Sequence, residues 1–308
     1  ATLGFGAGIG AYLLFFGPFR LPKPTSVAVT EDCGGLLLDD SEADSLKPAV
    51  TEQERAKLLK NIECYRRQIS QDPKYADAYT NLGEAYRRLG DTATAREFHQ
   101  KAIQLNPQLQ EAKLGLALVE QESGDPKVAI AEIQKVLAQK ESASAYFYQG
   151  VTLQQQANLK EAETAFRKAL ELDSNYAEAR VNLGLVLNQQ GKLEPAINEF
   201  RQAIRINPKL AAAHFNLGVA LQAQGEIKAA IASYEEAIRI NPDYAEANYN
   251  LGIALKNQGK EKEAIAAFKQ AIRSNPNYSA AYVKLGSTLA EQGKNDEAIA
   301  QLRTAIRV

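Results

Sequence analysis

Residues 177–210 read AEARVNLGLVLNQQGKLEPAINEFRQAIRINPKL, residues 211–244 AAAHFNLGVALQAQGEIKAAIASYEEAIRINPDY, and residues 245–278 AEANYNLGIALKNQGKEKEAIAAFKQAIRSNPNY. Set under one another, the three lines keep Asn-Leu-Gly at Gly184, Gly218 and Gly252, and Asn-Pro at Pro208, Pro242 and Pro276, 34 residues apart. Moving outward, the same glycine stands at Gly83, Gly150 and Gly286. Asn106-Pro107 lies 101 residues before Asn207-Pro208, three periods less one residue. Twelve residues after each glycine comes Ala95, Ala162, Ala196, Ala230, Ala264 or Ala298, and seven further on Ala102, Ala169, Ala203, Ala237, Ala271 or Ala305. A chain that repeats itself at a fixed period is a stack of equal units.

Each unit reads as two helices of about a dozen residues, split by a turn such as Gln190-Gly191-Lys192 or Gln258-Gly259-Lys260. Glycine ends a helix cheaply at such a turn, and Pro208 and its equivalents stop the second helix. On a helical wheel Leu183, Gly184 and Leu187 share one side. Gly184 there lets the second helix approach, and Ala196 and Ala203 on that helix do the same. One unit cannot cover its own apolar faces, so neighbours must stack.

The run of Leu-Gly, then a large apolar residue, then Ala-x-x-x-aromatic-x-x-Ala, then Pro resembles the tetratricopeptide repeat family. The match covers residues 76–308 as seven repeats, beginning near Ala76, Gln110, Ala143, Ala177, Ala211, Ala245 and Ser279. The resemblance implies an all-α fold, a right-handed superhelical solenoid of helix-turn-helix repeats with a concave inner surface. The second repeat departs most: Ala117 replaces the glycine, Val136 replaces the later alanine, and the exit loop lacks Pro and is a residue short. Irregular stacking is expected near residues 139–142. Upstream, Thr51-Glu52-Gln53-Glu54 reads as a capping box. It opens a helix to about Ser70, with Leu58, Ile62, Tyr65 and Ile69 on one face. Residues 51–75 thus form a capping half-repeat.

Residues 1–20 are a separate, hydrophobic segment. There is no charge before Arg20, and Gly4, Gly6, Gly8 and Gly10 form two interleaved G-x-x-x-G pairs, the spacing at which membrane helices approach closely. The stretch reaches the low end of the roughly 17–25 residues a transmembrane helix needs. A signal peptide with cleavage near Ser26-Val27-Ala28 is one alternative, a buried soluble segment another. Arg20 and Lys23 favour a cytoplasmic or stromal side for the repeats downstream; the signal-peptide reading implies a periplasmic or secreted protein. Residues 21–50 read as an acidic Pro-Gly linker too polar to order itself strongly.

The chain has 36 Lys plus Arg against 37 Asp plus Glu. This balance excludes a sequence-independent hold on nucleic acid, which needs surplus cations. Its two cysteines, Cys33 and Cys64, allow one bridge at most, and Cys64 reads more readily as a structural thiol. Two histidines in different repeats, His99 and His214, form no metal pair, no Gly-rich loop precedes a phosphate-binding Lys, and no nucleophile has a positioned base. The reading is therefore of a non-enzyme without cofactor.

What remains is a binding surface. A second apolar stripe runs along the first helices, opposite the packing side: Phe147 and Val151, Val181 and Leu185, Phe215 and Val219, Tyr249 and Ile253. Beside it Asn81, Asn182, Asn216 and Asn250 each stand two residues before the glycine. Asn both donates and accepts, so such a ladder can read the backbone of a bound chain; it resembles the asparagine ladder of O-linked N-acetylglucosamine transferase. The ladder breaks at Gly115, Tyr148 and Lys284. The carboxylate clamp of chaperone-binding members is not matched, because Val181 and Leu185 occupy its faces. The expected partner is a client peptide or helix, with subunits of a membrane complex as the family-level analogy. The sequence stops inside the last second helix, where Leu302, Ala305 and Ile306 would present an apolar face, so self-association through that edge is expected.

Overall fold

The computed structural model describes Cys33 and residues 52–308, with side chains from Arg55 onward. The segment at 1–20, the linker at 21–50 and the side chains of the capping box lie outside the described residues. Among the described residues there are fifteen helices and no strand. They are α1 (Glu52–Gln71), α2 (Ala76–Arg88), α3 (Thr92–Leu105), α4 (Gln110–Glu122), α5 (Pro126–Gln139), α6 (Ala143–Gln155), α7 (Leu159–Leu172) and α8 (Ala177–Gln189). There follow α9 (Leu193–Ile206), α10 (Ala211–Gln224), α11 (Ile227–Ile240), α12 (Ala245–Asn257), α13 (Glu261–Ser274), α14 (Ser279–Glu291) and α15 (Asn295–Arg307). None is long and apolar enough to cross a membrane.

The chain divides into two compact units, Ala1–Val186 and Leu187–Val308. In the first, α2 pairs with α3, α4 with α5 and α6 with α7; α1 packs on α2, and each pair packs on the next. In the second, α10 pairs with α11, α12 with α13 and α14 with α15, with α9 packed on α10.

The Asn-Pro pairs explain how one repeat hands over to the next. Asn106, Asn207, Asn241 and Asn275 follow α3, α9, α11 and α13 in extended backbone, as a residue before proline must be. Each Oδ1 accepts the N–H of the residue after the proline, at 3.0–3.2 Å. The proline removes a donor the helix no longer needs, and the asparagine closes the turn across it. After α5 the handover differs. The loop is a residue shorter, and Ser142 caps α6 by accepting the Ala145 N–H at 3.3 Å.

Within a repeat, the turn between helices needs a left-handed residue. Gly90, Gly124, Gly191, Gly225, Gly259 and Gly293 supply it with φ of 75–92°, whereas Ala157 takes the same place with φ 60°. A Cβ in that region costs about 1–2 kcal/mol. Ala157→Gly should therefore stabilise the first unit by about 0.5–1 kcal/mol net of glycine's greater unfolded-state freedom. Urea unfolding checks this, and a lowered midpoint would mean that the turn carries no strain.

Packing inside each repeat centres on one ring from the second helix lying against the glycine of the first. A Cβ on Gly150, Gly218 or Gly252 would stand 2.5–2.7 Å from the ring of Phe166, Tyr234 or Phe268. These three rings are buried, as are Phe200, Ile197, Leu82, Leu114 and Ile133. The first repeat puts His99 in the ring slot. Its imidazole lies so far toward α4 that a Cβ at Gly115 would meet it at 2.2 Å. Gly115 is where the asparagine ladder breaks, and the ring occupies the room an asparagine would need. Neither ring nitrogen of this buried histidine has a hydrogen-bond partner. Burial pushes its pKa down to about 4, with Glu84 raising it and Arg87 lowering it.

The sequence left the pairing of the cysteines open and read Cys64 as a structural thiol; that reading does not hold, because the residue is bonded to Cys33. Cys33 and Cys64 form a disulfide, with a Cα–Cα distance of 5.5 Å. Cys33 packs against the cluster of Leu58, Ile62, Tyr65, Leu82 and Ala85, where α1 covers α2. On α15, Ile299, Leu302 and Ile306 are exposed, Ile306 by 86%.

Candidate protein-binding face

The fifth residue of each first helix decides what the stripe can do, because it points at the ring in the slot. In the second unit Phe215 lies with its centroid 6.0 Å from Tyr234 and 5.0 Å from Tyr244. Tyr249 repeats this at 6.0 Å from Phe268 and 5.0 Å from Tyr278. In the first unit Phe147 lies 5.9 Å from Phe166 and 4.9 Å from Tyr176. Three repeats thus share one triad: a stripe residue, the slot ring, and the tyrosine just before the next repeat. Tilted rings at these distances add about 0.5–1.5 kcal/mol per pair beyond the area they bury.

Burial then separates the expected site residues. The sequence reading set Phe147, Val151, Val181 and Leu185 on an open face, but all four are buried, at 0–1% exposure. For Phe147 the reason is the triad, since Phe166 and Tyr176 hold both sides of its ring. In the second unit Phe215 is also buried, whereas Val219, Tyr249 and Ile253 are half-buried. Val283, the same position in the last repeat, is 43% exposed. The stripe opens from Phe215 through Tyr249 to Val283.

The asparagines divide in the same way. Asn182 and Asn216 are buried, and each amide donates to the carbonyl four residues back in its own helix, Glu178 at 3.0 Å and Ala212 at 2.8 Å. Such a local bond competes with any use of the side chain for a partner. Asn81 is half-buried, with a buried Oδ1 that has no partner. Asn250 is half-buried beside Tyr249 in the opening part of the stripe. The exposed Lys284 takes the ladder position in the last repeat. The rim is polar: Asn257 is exposed, Gln222 accepts from the Tyr234 hydroxyl at 3.1 Å, and Lys256 pairs with Glu291 at 2.7 Å.

Sequence reasoning missed Val283, where the 34-residue register carries the stripe into the last repeat beside Lys284, read there only as a break in the ladder. It also missed Tyr176, Tyr244 and Tyr278, although their recurrence before each repeat was visible. His214 is half-exposed, with Nε2 3.0 Å from the Pro208 carbonyl oxygen.

The first unit carries a network of ion pairs between α2 and α4. Glu84 is buried and holds Arg87 at 2.8 and 2.9 Å and Arg88 at 3.2 Å, and Arg87 also pairs with Glu122. Desolvation pushes the Glu84 pKa up, but the arginines outweigh it and bring it to about 2. This is a satisfied ion network. Among the described residues no group of three or more His, Cys, Asp or Glu could hold a metal ion.

The family model described as Cilia and flagella-associated protein 70 C-terminal domain matches residues 41–275, and one described as Tetratricopeptide repeat matches residues 249–307. The chain belongs to the first of these families and is a tetratricopeptide repeat protein. Among solved structures it is similar to Pseudomonas aeruginosa pilF, with a TM-score of 0.61, 25% identity, and coverage of 72% of this chain and 99% of that one. It is also similar in fold to the APC/C hetero-tetramer Cut9-Hcn1, with a TM-score of 0.65 and 20% identity over 79% of this chain and 50% of that one. The human Protein O-mannosyl-transferase TMTC3 is 29% identical over 132 residues. That stretch is 41% of this tetratricopeptide chain and 14% of the relative, so the chain spans about a seventh of that protein's length. The tetratricopeptide fold is a protein-interaction scaffold, and it is typically not catalytic.

Proposed function

We propose that this tetratricopeptide protein holds a client segment along the opening stripe of its second unit. Val219, Tyr249, Ile253 and Val283 supply the apolar contacts, and Asn250 meets the client's backbone. The graded exposure from Phe215 to Val283 carries this reading, because apolar surface rimmed by polar groups marks an interaction site. Asn216, buried and bonded to its own helix, belongs to the support of that surface. The two roles separate on substitution. Tyr249→Ala and Asn250→Ala should each weaken the client by about 1 kcal/mol or more, with the melting temperature lowered least for Asn250→Ala. Asn216→Ala should instead cost about 0.5–1.5 kcal/mol of stability with little change in affinity. Unchanged affinity in both Tyr249→Ala and Asn250→Ala would refute the site.

Tethering to a membrane by residues 1–20 rests on their uncharged, glycine-paired sequence. The full chain should stay in the pellet after a carbonate wash, and a shortened chain starting at Thr51 should be released; release of both would end the tether reading. A secreted or periplasmic adaptor is the second reading, and the Cys33–Cys64 bond favours it, since disulfides persist in oxidising compartments. N-terminal sequencing of the mature chain distinguishes the two.

A further inference from the structure

The Cys33–Cys64 bond joins two residues of unequal exposure. Cys64 sits on α1 and is only 6% exposed, whereas Cys33 is half-buried on the outside of the same cluster. The bond ties a residue 31 positions upstream onto the seam where Leu58, Ile62 and Tyr65 of α1 meet Leu82 and Ala85 of α2. Among the described residues that seam is where the first helix, α1, packs on α2. Any agent that opens the bond acts on the edge from which the first unit is built.

We propose that this pair is a thiol–disulfide exchange site, with Cys33 as its point of attack and a dithiol protein as its reductant. A thiolate of the reductant attacks the Cys33 Sγ. The Cys33–Cys64 bond breaks, and the electron pair leaves on the Cys64 sulfur, which takes up a proton. The second thiol of the reductant then attacks its own sulfur in the mixed disulfide. Cys33 is released as a thiol and the reductant closes to its disulfide: one bond is reduced and one dithiol oxidised. Exchange runs through such a mixed disulfide, and access helps decide which sulfur is attacked. With the tie cut, Cys33 leaves the seam, and α1 is held on α2 by the packing of Leu58, Ile62, Tyr65 and Ile69 and by the Arg66 hydrogen bond to the Tyr86 hydroxyl at 2.6 Å. The redox state of the surroundings thereby sets how firmly the N-terminal edge of the stack is capped.

The test uses the full chain purified without reductant. Limiting glutathione supplies a single thiol, so the mixed disulfide accumulates; free thiols are blocked with iodoacetamide and the peptides are weighed. Glutathione on Cys33 with alkylated Cys64 is the expected result. Dithiothreitol should then lower the melting temperature of the first unit by about 5–10 °C, as loss of a loop-closing bond does, and speed amide exchange in α1. Cys33→Ser should show the same exchange without reductant and no further response to it. Glutathione on Cys64, free thiols in the chain as purified, or amide exchange in α1 unchanged by dithiothreitol would each overturn the proposal.

Discussion

Lowering the pH from 6.5 to 4 should remove about 3 kcal/mol of stability from the first unit through His99 alone. In the unfolded chain an imidazole takes its proton near pH 6.5, but burial in the ring slot holds the folded one off until about 4. Between those values the unfolded state binds more protons, so stability is fully present above 6.5 and is lost as pH falls through the window. The ring is 1% exposed, so solvent screens it little. The groups around it are Glu84 and Arg87 of α2, the first drawing the proton and the second repelling it. Glu84 adds a separate loss, since its depressed pKa means that its share is present above about 4.5 and disappears toward 2. His99→Phe puts into the slot the ring that Phe166 and Phe268 supply elsewhere. It should flatten the upper window and leave the lower one. Amide exchange in α2 to α4 measures both, and an equal slope in His99→Phe would show that His99 is not the titrating group.

Phe268→Ala should cost about 3–5 kcal/mol, the usual loss for a fully buried aromatic ring. The ring touches Tyr249 and fills the space over Gly252, so its removal opens a cavity between α12 and α13. Gly252→Ala attacks the same contact from the other side. Its new Cβ would sit 2.5 Å from the Phe268 ring, an overpacking worth about 1–3 kcal/mol. The two changes share one partner and should not add. In the Phe268→Ala background the alanine at 252 meets no ring, and its cost should largely vanish. Denaturant unfolding of the four chains closes the cycle, and strict additivity would mean that glycine and ring do not pack on each other.

The same contact shows what the sequence could and could not reveal. The 34-residue phase, with one residue lost after the second repeat, gives first helices starting at Ala76, Gln110, Ala143, Ala177, Ala211, Ala245 and Ser279, and helices begin there. Glycine facing an aromatic sixteen residues on is also legible, because both recur. The stripe was less so. A helical wheel gives the direction of Phe147 but not that Tyr176, from the handover loop, closes over its ring. An asparagine on a helix face can look outward or bond the carbonyl four residues back, and Asn182 and Asn216 do the second while their spacing matches Asn250. His99 stood in the ring position of its repeat, yet only the packing against Gly83 and Gly115 shows an imidazole there with no hydrogen-bond partner. The cysteines lie 31 residues apart, one of them far from any repeat signal, and spacing cannot pair them.

The reading that the second unit binds a protein segment along its opening stripe is tested most directly by site-specific photo-crosslinking. A photoreactive residue is placed in turn at Ile253, at Val283, and at Lys269, an exposed position on α13. In native membranes and extracts, positions 253 and 283 should capture the same discrete protein. Position 269 should not, and Tyr249→Ala should reduce capture at 253 by about fivefold or more. Equal capture at 269, or capture at 253 and 283 that ignores Tyr249→Ala, would contradict the account.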